Sequence, residues 1–395
     1  MKITFVQPYY HNVWEALGVG NIITACNFQG IQSNFFQSKF DSDEEIIKGV
    51  AGSDYVAFSC TSPTFAHAVR LSKQIPAKAI FGGWHPTALG EKCEVDGQVV
   101  VGEGELAVID IVNGNRSPVV YGKPAPFVWP DRKAIRNERT IDLCESMIGK
   151  RVASFQATKG CPFNCLFCGE KAMSHRNVRI RDVHDTLDEI EHVVDEYDLD
   201  MFKFADPTFD VSAKRVIDFC NAKIDRGIDT EWECMVHAST ATKEMLGWMK
   251  EANCNQINIG CESGSPRILK DIRKGATVEK IAQVFGWAKK AGLKRRAFFL
   301  VGMPNEDLTD IRKTEAMIKK IKPDEYGVTL LCPYPGCDLY EHETMKDTEW
   351  DKTDEYANDF WETPQFSNEE LKELQAKLID GGKITERQRG LQKGS

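Results

Sequence analysis

Hydrophobic positions in the first 115 residues form short apolar runs, separated by stretches in which apolar residues recur every three or four positions. Runs of this length predict strands, and the periodicity between them predicts helices. The predicted strands are 3–7, 33–37, 55–59, 79–81 and 99–101, and the predicted helices are 19–28, 43–50, 65–74 and 105–112. This alternation predicts an α/β domain over residues 1–115, with a Rossmann-like, doubly wound and mostly parallel sheet.

A second alternating series begins near residue 151. Its predicted strands are 152–157, 201–205, 230–236, 256–260, 297–301 and 327–331, and its predicted helices are 182–197, 213–226, 243–251, 278–291 and 308–320. The six β/α units occupy about 180 residues, whereas a closed eight-stranded barrel usually needs roughly 250. The pattern therefore favours a partial (β/α)6 barrel over residues 151–340.

The remaining segments have a different character. Residues 114–137 are richer in proline and glycine, which places an interdomain linker at 116–150. Residues 341–395 carry one amphipathic pattern at 367–379, which predicts a small helical C-terminal cap. The last dozen residues are predicted to be frayed.

Composition narrows the possible partners. The net charge is −9 and no basic stripe follows the chain, which argues against nucleic-acid binding. The longest apolar runs have the length of strands, so no membrane-spanning helix is predicted. Thirteen cysteines without a signal peptide suit a reducing cytoplasm and metal ligation better than a disulfide framework.

The most informative cysteines form the segment Cys161-Pro-Phe-Asn-Cys165-Leu-Phe-Cys168. Three thiolates on one short loop can bind three irons of a [4Fe–4S] cluster, which leaves the fourth iron open to a substrate or cofactor. The alternative is a structural zinc ion with His175 as its fourth ligand.

Further polar residues follow the predicted strands, where parallel α/β folds place their ligands. Asp206 follows the second strand of the second series, and Glu262, Ser263 and Ser265 follow the fourth. The segment from Gly302 to Pro304 follows the fifth strand. The aspartate and the serines could equally cap the next helices, and the glycine segment could be an ordinary turn.

The C-x3-C-x2-C spacing resembles the signature of the radical S-adenosylmethionine (SAM) superfamily, whose shared fold is a partial (β/α)6 barrel. The segments Gly-Cys-Glu-Ser-Gly-Ser at 260–265, Gly-Gly-Trp-His-Pro-Thr at 82–87 and Gly-Glu-Gly-Glu at 102–105 are similar to those of one group of this superfamily. Members of that group carry an N-terminal cobalamin-binding-type domain, and the resemblance covers roughly residues 1–340.

The resemblance implies that the three cysteines bind a [4Fe–4S] cluster and that SAM occupies the open iron. One electron would then cleave SAM to a 5′-deoxyadenosyl radical, which abstracts hydrogen from carbon. The implied SAM contacts are Phe167 at the adenine, Asp206 at the amino group, Glu262, Ser263 and Ser265 at the ribose hydroxyls, and Gly302 and Pro304 along the adenine.

Within this group, methyl transfer to carbon or phosphinate on a small-molecule substrate is the leading hypothesis, with a flavodoxin or ferredoxin as electron donor. The chain lacks the D-x-H-x-x-G loop that supplies a histidine to cobalt; Asp182-Val-His184 begins such a loop but has no glycine. His85 is then either a corrin contact or a turn residue. The rival hypothesis is a radical dehydratase, cyclase or deoxygenase with a vestigial N-terminal domain. A zinc or iron–sulfur sensor protein is the alternative from outside enzymology.

Overall fold

The computed structural model of the chain describes residues 1–9, 11, 15–353, 356 and 358–380. The fraying predicted for the last dozen residues lies outside this part. The strands are β1 (Lys2–Gln7), β2 (Gln32–Gln37), β3 (Tyr55–Ser59), β4 (Lys78–Gly82), β5 (Gln98–Val101), β6 (Val119–Tyr121), β7 (Val152–Phe155), β8 (Thr158–Lys159), β9 (Arg179–Ile180), β10 (Met201–Phe204), β11 (Glu231–Val236), β12 (Cys254–Glu262), β13 (Lys294–Val301) and β14 (Glu325–Leu330).

The helices agree with the periodicity of the sequence wherever a helix was predicted. They are α1 (Leu17–Phe28), α2 (Asp43–Gly49), α3 (Ser62–Ser72), α4 (Trp84–Leu89), α5 (Gly104–Val112), α6 (Glu138–Ile148), α7 (Glu170–Ser174), α8 (Val183–Tyr197), α9 (Ala213–Asp225), α10 (Lys243–Glu251), α11 (Pro266–Asp271), α12 (Val278–Ala291), α13 (Leu308–Ile321), α14 (His342–Met345) and α15 (Asn368–Asp380). No helix in the described ranges is both long and apolar enough to cross a membrane.

The chain divides into two compact units. The first contains residues 1–154, 169–175 and 334–352, and the second contains 155–168, 176–333 and the described residues from 353 onward. The segment predicted as a linker, 116–150, instead contributes strand β6 and helix α6. The predicted C-terminal cap is divided in the same way, because residues 341–352 belong to the first unit and the described residues from 353 onward to the second.

The first unit is built on a six-stranded sheet with the order β2-β1-β3-β4-β5-β6. All five neighbouring strand pairs of this sheet are parallel, and Phe5 of β1 lies opposite Phe35 of β2 and Ala57 of β3. One apolar core contains Phe5 and residues of α1 and α5 such as Ile23 and Ile111. A separate core contains Phe58 of β3 and residues of α2 and α3. Helices therefore cover both faces, which confirms the predicted doubly wound sheet.

The second unit is built on a six-stranded sheet in which the strands follow chain order, β7-β10-β11-β12-β13-β14. Side chains along β11 and β13 alternate between buried and less buried positions. Helix α9 covers one face, where the ring of Phe219 packs edge-on against Phe204 and Trp232 at 5.4 Å. At the outer strand β14, the backbone N–H of Leu330 donates to the carbonyl of Tyr356 at 3.1 Å. The chain after residue 353 thus occupies hydrogen-bonding groups at the edge of the sheet.

Candidate functional site

The three cysteines lie on one loop between β8 and β9, and all three are half-buried free thiols. The two short strands pair antiparallel, with Thr158 opposite Ile180. Among the described residues, no three His, Cys, Asp or Glu side chains converge on a point that could hold a single metal ion. A [4Fe–4S] cluster does not require such convergence, because each cysteine binds a different iron. The donor set therefore fits a cluster.

His175 is the fourth ligand in the zinc alternative. It belongs to the first unit, whereas Cys161–Cys168 belongs to the second. His175 ends helix α7 in the left-handed conformation, with φ at 50° and its backbone N–H bonded to the carbonyl of Lys171. Its position is explained as a helix C-cap.

Asp206 holds the beginning of the cysteine loop. Its Oδ1 accepts from the backbone N–H of Ala157 at 2.9 Å, and its Oδ2 accepts from the hydroxyl of Thr158 at 2.9 Å. The carboxyl group is buried, and this burial raises its pKa to about 6 despite these hydrogen bonds. Asp206 also does not cap helix α9, whose N-cap is Ser212. Asp206 therefore positions the start of the cysteine loop, and its expected contact with the amino group of SAM stays a prediction.

The first cysteine has a polar neighbour from the same region. The hydroxyl of Thr208 lies 3.3 Å from the sulfur of Cys161. Thr208 follows strand β10 at a buried position, two residues after Asp206. Hydrogen bonds to cluster sulfur ligands are one of the means by which a protein adjusts a cluster's reduction potential. Thr208 is a neighbour of the site that sequence reasoning missed.

The middle of the cysteine loop is held by a backbone hydrogen bond and by an aromatic stack. The backbone N–H of Leu166 donates to the carbonyl of Ile272 at 2.9 Å. The ring of Phe163 stacks on His237, with centroids 3.5 Å apart and planes 16° apart. His237 Nε2 lies 3.1 Å from the carbonyl of Lys274, so it donates, while Nδ1 lies 2.7 Å from the hydroxyl of Ser239. Burial, together with the charge of Lys274, lowers the pKa of His237 to about 3, so the imidazole is neutral.

Glu262 and Lys274 form a buried ion pair at the end of strand β12. Lys274 Nζ donates to Glu262 Oε1 at 2.7 Å, and each side chain is 8% exposed. Glu262 has a φ of 61°, a left-handed conformation that costs a residue with a side chain of the order of 1 kcal/mol or more. A Cβ on Gly260 would lie 2.4 Å from Glu262 Oε1 and 2.7 Å from Lys274 Nζ. A side chain at position 260 would therefore displace the ends of both members of the pair.

The ion pair also acts electrostatically on the cysteine loop. Burial raises the pKa of the Cys165 thiol to about 12; the charge of Lys274 opposes this rise and that of Glu262 adds to it. Opposing influences from the two partners show that the pair lies within electrostatic reach of the sulfur. A thiolate at Cys165 therefore depends on the positive charge of bound iron, as is usual for metal ligands that must lose a proton.

Ser263 and Ser265 are directed toward helix α13. Ser263 Oγ lies 3.2 Å from the hydroxyl of Thr314, and Ser265 Oγ donates to Asp310 Oδ1 at 2.5 Å. Both serines are fully buried. Neither hydroxyl caps helix α11, although Ser265 occupies the N-cap position. Both hydroxyls therefore attach this loop to α13, and the expected contact of the two serines with the ribose stays a prediction.

The loop after β13 is held by a residue that sequence reasoning missed. Glu306 Oε2 accepts from the backbone N–H of Gly302 at 2.8 Å, and burial raises its pKa to about 7. The carbonyl of Gly302 accepts from the indole N–H of Trp361 at 2.8 Å. Pro304 in the same loop and Phe167 in the cysteine loop are half-buried. The adenine contacts expected of Gly302, Pro304 and Phe167 stay predictions.

Three comparisons place this geometry among known proteins. Residues 155–318 match the family model described as the Radical SAM superfamily. An uncharacterized methyltransferase of Pyrococcus horikoshii is 27% identical over 77% of this chain and 70% of the relative. An anaerobic magnesium-protoporphyrin IX monomethyl ester cyclase of Rubrivivax gelatinosus is 24% identical over 86% of this chain and 70% of the relative.

A solved structure shows the same fold. The radical S-adenosylmethionine methyltransferase TsrM from Kitasatospora setae, with cobalamin and a [4Fe–4S] cluster bound, superimposes with a TM-score of 0.70 at 14% identity. The match covers 86% of this chain and 76% of that chain. Residues 155–318 form a radical SAM domain, and the cofactors of that superfamily are a [4Fe–4S] cluster and SAM.

Proposed function

We propose that this protein is a cobalamin-dependent radical SAM methyltransferase that acts on a small molecule in the cytoplasm. When bound, the cluster and SAM supply the radical chemistry, and cobalamin supplies a carrier for the methyl group. Cys161, Cys165 and Cys168 hold the cluster, and a flavodoxin or ferredoxin delivers the electron. Support for methyl transfer comes from the relative in P. horikoshii and from the fold shared with TsrM.

Glu262 is the residue that we assign to SAM itself. Its Oε1 receives one hydrogen bond from Lys274, which leaves further acceptor capacity on the carboxylate for ribose hydroxyls. Lys274 supports the charge of Glu262 in this buried place, since an unpaired carboxylate would be costly there. Phe167, Gly302 and Pro304 are assigned to the adenine.

The assignment of cobalamin rests on the first unit, whose sheet and apolar cores are complete. Its parallel sheet has six strands and an apolar core on each face, as an intact ligand-binding domain requires and a vestigial one does not. His85 is buried with Nδ1 2.9 Å from the hydroxyl of Ser62, and burial lowers its pKa to about 4. We therefore propose cobalamin bound without an imidazole ligand from His85.

The test is cobalamin binding by the full chain under anaerobic conditions. Hydroxocobalamin should bind stoichiometrically, and the reduced cobalt should show no nitrogen hyperfine coupling from a protein imidazole. Gly83→Ala should weaken binding, because Gly83 has a φ of 94° and its added Cβ would lie 2.6 Å from the carbonyl oxygen of Cys60. Gly18→Ala is the matched control, since no atom lies within 4 Å of its added Cβ. Absence of cobalamin binding by the unaltered protein would refute the methyltransferase proposal.

A second candidate function is radical cyclisation, as the name of the R. gelatinosus relative suggests. The two proposals differ in their use of SAM. Methyl transfer consumes two SAM molecules per product, one for the methyl group and one for the radical, whereas cyclisation consumes SAM only for the radical. SAM cleavage to 5′-deoxyadenosine by a protein that binds no cobalamin would favour cyclisation.

A further inference from the structure

One face of the second sheet carries an unusual row of polar side chains. On β10 and β11, Phe204 and Trp232 point toward α9, so the alternate residues Lys203 and Glu233 point to the opposite face. The same face continues across the neighbouring strands. We call this set the polar row; it comprises Lys203, Glu233, Gln256, Asn258 and Arg296.

The strand register makes the row continuous. Glu233 lies opposite Lys203 on one side and Gln256 on the other, and Asn258 lies opposite Arg296. Gln256 Nε2 donates to Glu233 Oε2 at 3.2 Å and to Asn258 Oδ1 at 3.0 Å. The central carboxylate and the two amides are thus fixed by one another.

The two cations at the ends of the row are not fixed in this way. Within the described ranges, neither Lys203 nor Arg296 has a hydrogen-bond or ion-pair partner for its side chain, and Nε of Arg296 is buried without one. The guanidinium rests over the ring of Phe298, 5.0 Å from its centroid. Both cations act electrostatically on Glu233, yet neither contacts it. Two cations flank Glu233, and a second carboxylate, Glu325, lies opposite Arg296 on β14, so the charges balance while the two cations keep unused donors.

The row adjoins the proposed SAM site. Gly260 follows Asn258 on the same face of β12, about 7 Å further along the strand. The space over Gly260 is occupied by the Glu262–Lys274 ion pair. Between the polar row and the strand ends, the same face presents Met235 and Phe298, which are apolar. A molecule on this face would meet charge at one end and hydrocarbon toward the SAM site.

We propose that the polar row binds the anionic end of the substrate, which is a small molecule with a carboxylate and an apolar carbon body. A guanidinium with free donors recognises a carboxylate through two parallel hydrogen bonds, and stacking on an aromatic ring holds it in orientation. The apolar body then lies against Met235 and Phe298, with its reacting carbon toward Glu262. This inference rests on the proposed function, because it treats the free face of the radical SAM domain as the substrate side.

The test compares two probes that differ in charge. Phenylacetate and the neutral phenylacetamide are titrated into the reconstituted full-length protein, and binding is followed by saturation-transfer NMR. Phenylacetate should bind at least about tenfold more tightly than phenylacetamide. Arg296→Gln should remove that preference, while Arg296→Lys should retain part of it. Lys290→Gln removes an exposed cation from helix α12 and should leave the preference unchanged.

Equal binding of the two probes, absence of binding by both, or loss of the preference in Lys290→Gln would each overturn the proposal. Thermal unfolding of Arg296→Gln and its SAM cleavage separate a local effect from misfolding. The outcome is also distinct from that of the proposed function. A protein that cleaves SAM but shows no carboxylate preference refutes the role of the polar row alone. A protein that prefers phenylacetate but binds no cobalamin refutes the methyltransferase alone.

Discussion

The two sheets of this protein have equal strand numbers, but strands β1 and β3 of the first differ in burial from strands β11 and β13 of the second. In the first, β1 and β3 are buried at nearly every position, because helices cover both faces. In the second, β11 and β13 alternate between buried and less buried residues. A sheet covered on both faces leaves little room for charge inside, whereas a sheet covered on one face can present polar groups on the other.

The polar and reactive side chains of the two units differ in line with this difference in burial. In the first unit, the strand-end residue His85 is neutral and buried against Phe65, with ring centroids 4.3 Å apart. In the second unit, the strand ends carry the cysteine loop and the Glu262–Lys274 pair, and the free face carries the polar row. Strands β11 and β13, whose burial alternates, thus belong to the sheet that we propose holds the reacting groups.

The largest effect is expected at the cysteine loop. Cys165→Ala removes one of three ligands, and the anaerobically reconstituted variant should lose the [4Fe–4S]+ electron paramagnetic resonance signal and most of its iron and sulfide. Cys26→Ala is the matched control in the first unit. Cys26 is buried, and burial raises the pKa of its thiol to about 11, so it serves as a small core residue. A zinc ion in unaltered protein, with no iron after reconstitution, would contradict the assignment.

A matched pair of phenylalanines tests the burial difference itself. Phe58 of β3 is 1% exposed and stacks on Phe81 with centroids 5.3 Å apart. Phe58→Ala should lower the free energy of unfolding by about 3–5 kcal/mol, as expected for a large-to-small change in a core. Phe298→Ala on the free face of β13 should cost roughly half as much, because that ring is already partly exposed. Urea unfolding of the apoprotein measures both values; equal losses would contradict the comparison.

The order of elements in both sheets was predictable, since each strand is an apolar run and each long helix has a regular period. The exceptions were β6 and α6, which lie in a segment whose prolines suggested a linker. A strand of three residues is too short to show a pattern of its own, and its neighbour β5 stabilises it through tertiary pairing.

The sequence indicated several residues of the candidate site, but it did not indicate which side chains contact them. The three cysteines and Glu262 were recognisable because they are local in sequence or follow a strand. His237 follows β11 in the same way, so the signal that marked Glu262 could have found it. Lys274 could not be found, because only the chain path after α11 brings it back to Glu262. The hydroxyls of Ser263 and Ser265 could not be assigned either, since their partners lie on α13.

Substitutions that disturb the Glu262–Lys274 ion pair are expected to weaken SAM binding. This effect should be smaller than the loss of the cluster or of core packing described above. Glu262→Ala should retain the cluster but weaken SAM binding on the order of a hundredfold, as the loss of two charge-assisted hydrogen bonds predicts. Gly260→Ala should weaken SAM binding about tenfold, because its Cβ would displace both members of the pair. Gly286→Ala in α12 adds a Cβ with no atom within 4 Å and should change nothing. Equilibrium dialysis with SAM measures all three, and unchanged affinity in Glu262→Ala would return Glu262 to a structural role.

The smallest effect is expected at His237, which acts on the cluster only through the loop. Loss of an aromatic stacking contact costs about 0.5–1.5 kcal/mol, so His237→Asn should accelerate removal of iron by a chelator roughly twofold to tenfold. His237→Phe keeps a ring for Phe163 but loses the hydrogen bond to the carbonyl of Lys274. If stacking holds the loop, His237→Phe should restore most of the resistance to the chelator while the cluster's spectrum stays unchanged. Equal iron loss from both variants would instead show that the hydrogen bond to the Lys274 segment holds the loop.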